Sequence, residues 1–156
     1  MKSNSSFIKI SGDLYENPDA INFIGQIAKN GYTVVCVGGG TQINTALEQR
    51  GYTLTKHGPL GRDLLTEEER LIARDVLETN KQRLEDILSK INVSATVIIP
   101  VLEIGNVMCH INGDEFIRSA YNGFDKLYIL TLLERKIKKE QEFSREKFPK
   151  IEVVSI

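Results

Sequence analysis

Tyr32-Thr33-Val34-Val35-Cys36-Val37-Gly38-Gly39-Gly40 decides how this chain folds. Tyr32 to Val37 is rich in β-branched residues and shows no polar alternation, which marks a strand covered on both faces. Three glycines stop it, and Thr41 to Arg50 then reads as a helix closed by Gly51. Upstream, Phe7 to Ser11 reads as a strand, Gly12 and Asp13 as a turn, and Pro18 to Asn30 as a helix. Asn17 is placed to cap that helix, Pro18 suits its first position and Gly31 its end. Strand, helix, strand, glycines and helix in this order open a parallel, doubly wound sheet. The expected fold class is α/β, a three-layer αβα sandwich around a mainly parallel sheet.

Downstream, Tyr52 to Leu65 reads as a loop holding His57, Gly58, Pro59, Gly61 and Arg62. Thr66 and Glu69 form a capping-box pattern ahead of a helix expected to reach Ile91. Its apolar stripe is Ile72, Val76, Leu84, Leu88 and Ile91, a core or dimer face, and its length lets an outer end project over a ligand or into a partner. Ala95 to Val101 is the third buried strand, and Val107 to Ile111 a short strand or hairpin arm. Asn112 to Asn122 reads as a helix ended by Gly123, with strands at Lys126 to Thr131 and Ile151 to Ile156. The stretch of mixed charge from Glu134 to Lys150 reads as a solvated helix.

Composition narrows the class of protein. With 156 residues and 41% apolar side chains, the chain buries a sufficient core without disulfides or structural metal. Its 20 basic and 21 acidic residues leave a formal charge of -1, so neither nucleic acid nor an anionic membrane surface is an expected partner. Apolar runs such as Val97 to Leu102 are too short to cross a bilayer. Met1 to Ser6 is polar, lacks the apolar centre of a signal peptide and is expected to be disordered, with a single domain over 7–156. Cys36 and Cys109 form no disulfide framework, which points to a reducing compartment, the cytoplasm. Cys36, His57, Cys109 and His110 are the soft metal-ligand residues, but Cys36 lies inside a buried strand and no metal site is expected. Cys109 and His110 are also poor partners as nucleophile and base, because neighbours on a strand point to opposite faces.

Chemistry concentrates where the first two strands end. Glycines let the backbone approach an oxyanion, and the helix after them supplies unpaired N–H groups and the positive end of its dipole. Gly38, Gly39 and Gly40 are thus either an anion cradle or simply a tight turn. Neither the P-loop nor the dinucleotide fingerprint fits this stretch. Lys9, flanked by Ile8 and Ile10, is costly on a buried strand unless its ammonium reaches water or an anion. A parallel sheet brings Lys9, Gly12 and the three glycines to one edge, within reach of one ligand. Arg62 is a candidate anion clamp in its loop, or part of a plain surface loop.

Lys9-Ile10-Ser11-Gly12, followed by Val34-Val35-Cys36-Val37-Gly38-Gly39-Gly40-Thr41-Gln42-Ile43-Asn44, resembles the opening of the amino acid kinase family, in its acetylglutamate kinase and uridylate kinase branch. Ile111-Asn112-Gly113-Asp114, with the helix and strand after it, resembles that family's Asn-Ala-Asp segment. The resemblance implies transfer of the ATP γ-phosphoryl group, with Mg²⁺, to a small anionic metabolite, and a homo-oligomer. In it Lys9 offsets charge on the phosphoryl group, and Gly39 and Gly40 donate N–H groups to it. Asp114 orients the lysines or the metal-bound nucleotide, and Asn112 belongs to the acceptor site. Taken without the family, Asp114 reads first as a residue of its helix's N-cap region.

The chain also departs from the family. Leu132-Leu133-Glu134-Arg135 stands where an Asp and a Gly lie near the nucleotide, and Val37 where a histidine often precedes the glycines. The C-terminal segment that carries a second catalytic lysine and much of the adenine pocket has no counterpart before Ile156. Three functional expectations follow: an ATP-dependent phosphotransferase, minimal or completed by another chain; a non-catalytic binding or regulatory domain that has lost the nucleotide half; and a protein whose site is silent and whose long helix mediates assembly.

Overall fold

The computed structural model describes residues 4–53 and 57–156. In chain order the elements are β1 (Ser5–Ile10), α1 (Pro18–Ala28), β2 (Tyr32–Val37), α2 (Gly40–Gln49), β3 (His57–Gly58), β4 (Gly61–Arg62), α3 (Glu67–Lys90) and β5 (Thr96–Ile98). They continue with β6 (Val101–Ile104), β7 (Val107–His110), α4 (Gly113–Ala120), β8 (Lys126–Thr131), α5 (Lys136–Glu142) and β9 (Ile151–Ser155). Five strands form one parallel sheet in the order β5-β2-β1-β8-β9, flanked by helices as a three-layer αβα sandwich. The order reverses between β1 and β8, the switch point at which open α/β sheets bind ligands.

Period-two alternation sorts the sheet residues into two cores. Ile8, Ile10, Val35, Val37, Tyr128 and Leu130 meet Ala20 and Ile24 of α1 and Leu84 and Leu88 of α3. Phe7, Val34, Cys36, Leu127 and Ile129 meet Ile117 of α4 and Phe143. Fully burying each such side chain contributes about 1.5–3 kcal/mol. Lys9 pairs in register with Cys36 and Ile129, so it belongs to the second face, that of α4.

Local signals act as expected at two helix starts. Asn17 Oδ1 accepts from the N–H groups of Asp19 (2.8 Å) and Ala20 (3.3 Å), with Pro18 opening α1. Thr66 and Glu69 form the reciprocal capping box of α3. Most of the expected stripe of α3 is core: Ile72, Leu84 and Leu88 are buried, whereas Ile91 is 50% exposed. The N-terminal half of α3 packs Ile72, Ala73 and Leu77 on Ile43 and Leu47 of α2, and its C-terminal half packs on the sheet.

Four expectations need correction. β1 starts at Ser5, so Ser5 and Ser6 are strand and not a disordered terminus, while residues 1–3 lie outside the described residues. Tyr52 to Leu65 is not wholly loop, since β3 and β4 pair as a hairpin; residues 54–56 lie outside the described residues. The third strand ends at Ile98, because Pro100 has no N–H for the ladder, and Val101 begins a hairpin of β6 and β7. The charged stretch from Glu134 to Lys150 holds the end of a 3-10 turn (Leu133–Arg135) and the seven-residue α5, and carries Phe143, which is 2% exposed, into the core.

Candidate functional site

The turn after β2 is built around close backbone contact. Gly38 N–H continues the ladder to Ile10 O at 2.9 Å. A Cβ on Gly12 would lie 2.7 Å from Gly39 Cα and 2.8 Å from Gly38 O, so the ends of β1 and β2 touch only because both are bare. A Cβ on Gly39 would meet Asn80 Nδ2 at 2.9 Å and Leu77 at 3.2 Å. Asn80, buried on α3, donates to Gly38 O (3.0 Å), Gln42 donates to Gly12 O (2.8 Å), and Thr41 donates to Asp13 Oδ2 (3.1 Å). Gly40 differs, because a Cβ there would meet nothing within 4 Å. A tight turn accounts for Gly12 and Gly39 but leaves Gly40 without a packing reason. Gly39, the N-cap of α2, brings no side-chain acceptor, so the first-turn N–H groups of the helix are open to an anion.

Lys9 runs across the start of α4. A Cβ on Gly113 would fall 2.6 Å from Lys9 Cε, so glycine at this position lets the lysine stem pass. Its ammonium stands 3.3 Å from Asp114 Oδ1. Lys139 Nζ from α5 pairs with Asp114 Oδ2 and also reaches Glu142 at 3.2 Å. Burial pushes the Asp114 carboxyl up, but Lys9 and Lys139 outweigh it and hold the group below its usual range. Burial pushes Lys139 down, and Asp114 and Glu142 outweigh that in turn, so its ammonium is held above its usual value. Asp114 therefore bridges two lysines. The α4 cap is Asn112, whose Oδ1 accepts from Glu115 N–H at 2.8 Å.

A cleft of about 220 Å³ gathers Lys9, Gly12, the three glycines, Arg62, Asn112 and Gly113. The site residues expected from separate parts of the sequence thus share one cavity, with Asp114 behind Lys9. Arg62 Nη2 donates to Gly40 O (3.3 Å), and burial lowers the guanidinium below its ordinary value. It has no carboxylate partner among the described residues. His57 and His110 also line the cleft. Burial holds His110 below its usual value, against the opposing pull of a backbone hydrogen bond at Arg70, and its buried Nε2 has no partner among the described residues.

A second cleft of about 300 Å³ lies on the other side of Lys9, at the ends of β1 and β8. Lys9, Arg135, Lys138 and Lys139 line it with Ser11 and Thr131, and no Asp or Glu does so among the described residues. Lys139, Arg135 and Lys138 are the residues that sequence reasoning missed. They lie in the segment read as solvated helix, and their neighbours in sequence carry no sign of a distant partner. Asn80 left a readable trace, a polar residue on the buried face of α3 between Leu77 and Leu84.

Cys36 is fully buried, and burial pushes its thiol up to about 12, so it is a core residue and not a reactive one. Among the described residues no group of three His, Cys, Asp or Glu side chains is placed to hold a metal ion, and no helix is long and apolar enough to cross a membrane.

No family model and no curated protein matches the chain in sequence. The crystal structure of smu.665 from Streptococcus mutans UA159 is similar in fold, with a TM-score of 0.62 over 90% of this chain and 83% of that one. The two sequences are 14% identical, and the likeness bears on fold alone.

Proposed function

We propose that this chain is an amino acid kinase-like phosphotransferase that moves the γ-phosphoryl group of ATP, carried with Mg²⁺, onto a small anionic acceptor. The observation that carries this reading is that Lys9 lines two clefts at once, one walled by glycine backbone and one by cations. The cationic cleft suits the donor's phosphates, and the glycine cleft suits the acceptor. Lys9 stands where the transferred group passes between them.

An oxygen of the acceptor attacks the γ-phosphorus, the bond to the bridging oxygen breaks, and ADP leaves with the electron pair. Such a step depends on positioning and on charge stabilisation. Lys9 and the N–H groups of Gly39 and Gly40 stabilise the moving phosphoryl group. Lys139 takes the part of the second lysine, and Asp114 holds both ammonium groups in place. Asp114 is occupied by those lysines, so an Mg²⁺ arriving with ATP would be held by the nucleotide rather than by Asp114 and would supply charge neutralisation there. The reading places the protein in the cytoplasm, where ATP is at hand and thiols such as Cys36 and Cys109 stay free, and includes assembly as a homo-oligomer.

The absence of an Asp and Gly after β8 favours the other reading, a binding domain without catalysis. Thermal shift with ATP·Mg²⁺, ADP, UMP and N-acetylglutamate separates the two. A rise in melting temperature with ATP·Mg²⁺ that Lys9→Ala removes supports the kinase. A rise with an anionic metabolite alone supports the binding domain.

A further inference from the structure

Resting on the acceptor assignment just proposed, the lining of the glycine cleft goes further and describes the body of the acceptor. Its charged residues are Lys9 and Arg62, and Arg62 reaches the first turn of α2 through Gly40 O. Six apolar residues line it as well, Ile43, Leu64, Ala73, Leu77, Pro100 and Ile111, and the first four pack in one cluster. No Asp or Glu lines the cleft among the described residues, and Asp114, just behind it, is already shared by two ammonium groups. An ammonium group on the ligand would enter beside Lys9 and Arg62 with no counter-charge, which is unfavourable in a partly desolvated cavity. At about 220 Å³ the cleft also falls below the 300–1,000 Å³ typical of sites for drug-sized ligands. Away from the glycines and Ser11, the polar side chains on its wall are His57, His110 and Asn112, and Asn112 Oδ1 is committed to its helix cap.

We infer that the acceptor is a small molecule with one anionic head and an uncharged apolar body, a short alkyl or alkenyl phosphate or carboxylate, and neither a free amino acid nor a nucleoside monophosphate. The head sits against Lys9, Arg62 and the open N–H groups of α2. The body lies along Ile43, Leu77 and Ile111. A hydroxyl on that body has the neutral imidazole of His110 as its partner.

The test is isothermal titration of the full chain with inorganic phosphate, ethyl phosphate, butyl phosphate, hexanoate, glutamate and UMP. Butyl phosphate is expected to bind more tightly than ethyl phosphate by about threefold to fourfold per added methylene. Glutamate and UMP are expected to bind no better than inorganic phosphate. The order of butyl phosphate and hexanoate identifies the head group as phosphate or carboxylate. Ile111→Asn, checked for an unchanged circular dichroism spectrum, flattens the dependence on chain length and leaves phosphate binding as it was. Affinity independent of chain length, or tightest binding by glutamate or UMP, overturns the inference while the phosphotransferase reading stands. No binding by any of the six overturns both.

Discussion

Lys9 Nζ lies 3.3 Å from Asp114 Oδ1, with the two side chains 15% and 17% exposed. The carboxylate's other oxygen holds Lys139, so one acid organises two cations that arrive from opposite ends of the sequence. Each partner of a buried ion cluster is costly to remove, because the charge left behind is no longer compensated.

Asp114→Asn should therefore lower stability by about 1–3 kcal/mol, less than the full cost of a deeply buried pair because water still reaches the group. The pH dependence has a definite sign. Asp114 lies below its usual value in the folded chain, so its contribution is complete above about pH 4 and is lost as pH falls through the folded value. Lys139 is raised, so its contribution is complete below about pH 10 and is lost as pH climbs through the folded value. Urea melts across pH should show both limbs in the wild type, and the variant should lose much of the acid limb.

The three glycine positions should separate packing from binding. Gly12→Ala and Gly39→Ala force a Cβ into backbone or packed side chains and should cost about 1–3 kcal/mol. Gly40→Ala meets open space at the start of a helix and should leave stability within about 1 kcal/mol of wild type or slightly higher. It should nevertheless weaken anion binding, because the new methyl group stands where the ligand approaches the helix N–H groups. Denaturant melts read beside phosphate titration check this, and unchanged binding in Gly40→Ala would speak against the cradle.

Burial holds His110 below its ordinary value, so the unfolded chain takes up its proton first as pH falls. Stability should then decline from about pH 6.5 downward, through the window between the unfolded and folded values. His110→Gln should remove that decline. Melting temperatures between pH 5 and 8 test it, in a range where Asp114 and Lys139 do not titrate.

Lys139→Met keeps much of the stem's volume and removes the charge from the cationic cleft. Turnover should drop by about 10²–10³, the usual loss for one group that stabilises charge in the transition state. A single-turnover assay with γ-labelled ATP, on protein of unchanged circular dichroism, measures the loss. Wild-type turnover in the variant would remove Lys139 from the chemistry.

How far these features could be read in advance depended on where each residue finds its partner. β2 and β8 occupy the expected spans, because each is an apolar run between hydrophilic or glycine-rich flanks. The starts of α1 and α3 were legible because cap and partner lie within three residues of each other. The convergence of Lys9, Gly12, Gly38, Gly39 and Gly40 followed from parallel strands alone. Lys139 was not legible: its partner Asp114 is 25 residues away, and its near neighbours Lys136, Lys138, Glu140 and Glu142 make an ordinary charged surface pattern. Gly113 looked like a variant of a family motif, and its use, clearance for the Lys9 stem, needs the packed sheet to be seen. The break at Pro100 had a local signal in the missing N–H, outweighed in the sequence reading by the apolar run around it.

In the proposed reaction Lys9 serves a donor in one cleft and an acceptor in the other. The most direct test of that role is calorimetric titration of wild type and Lys9→Ala with ATP·Mg²⁺ and, separately, with butyl phosphate. Wild type should bind both, and Lys9→Ala should weaken both by tenfold or more with its fold intact. Loss of affinity for only one of the two, or unchanged affinity for both, would contradict that role.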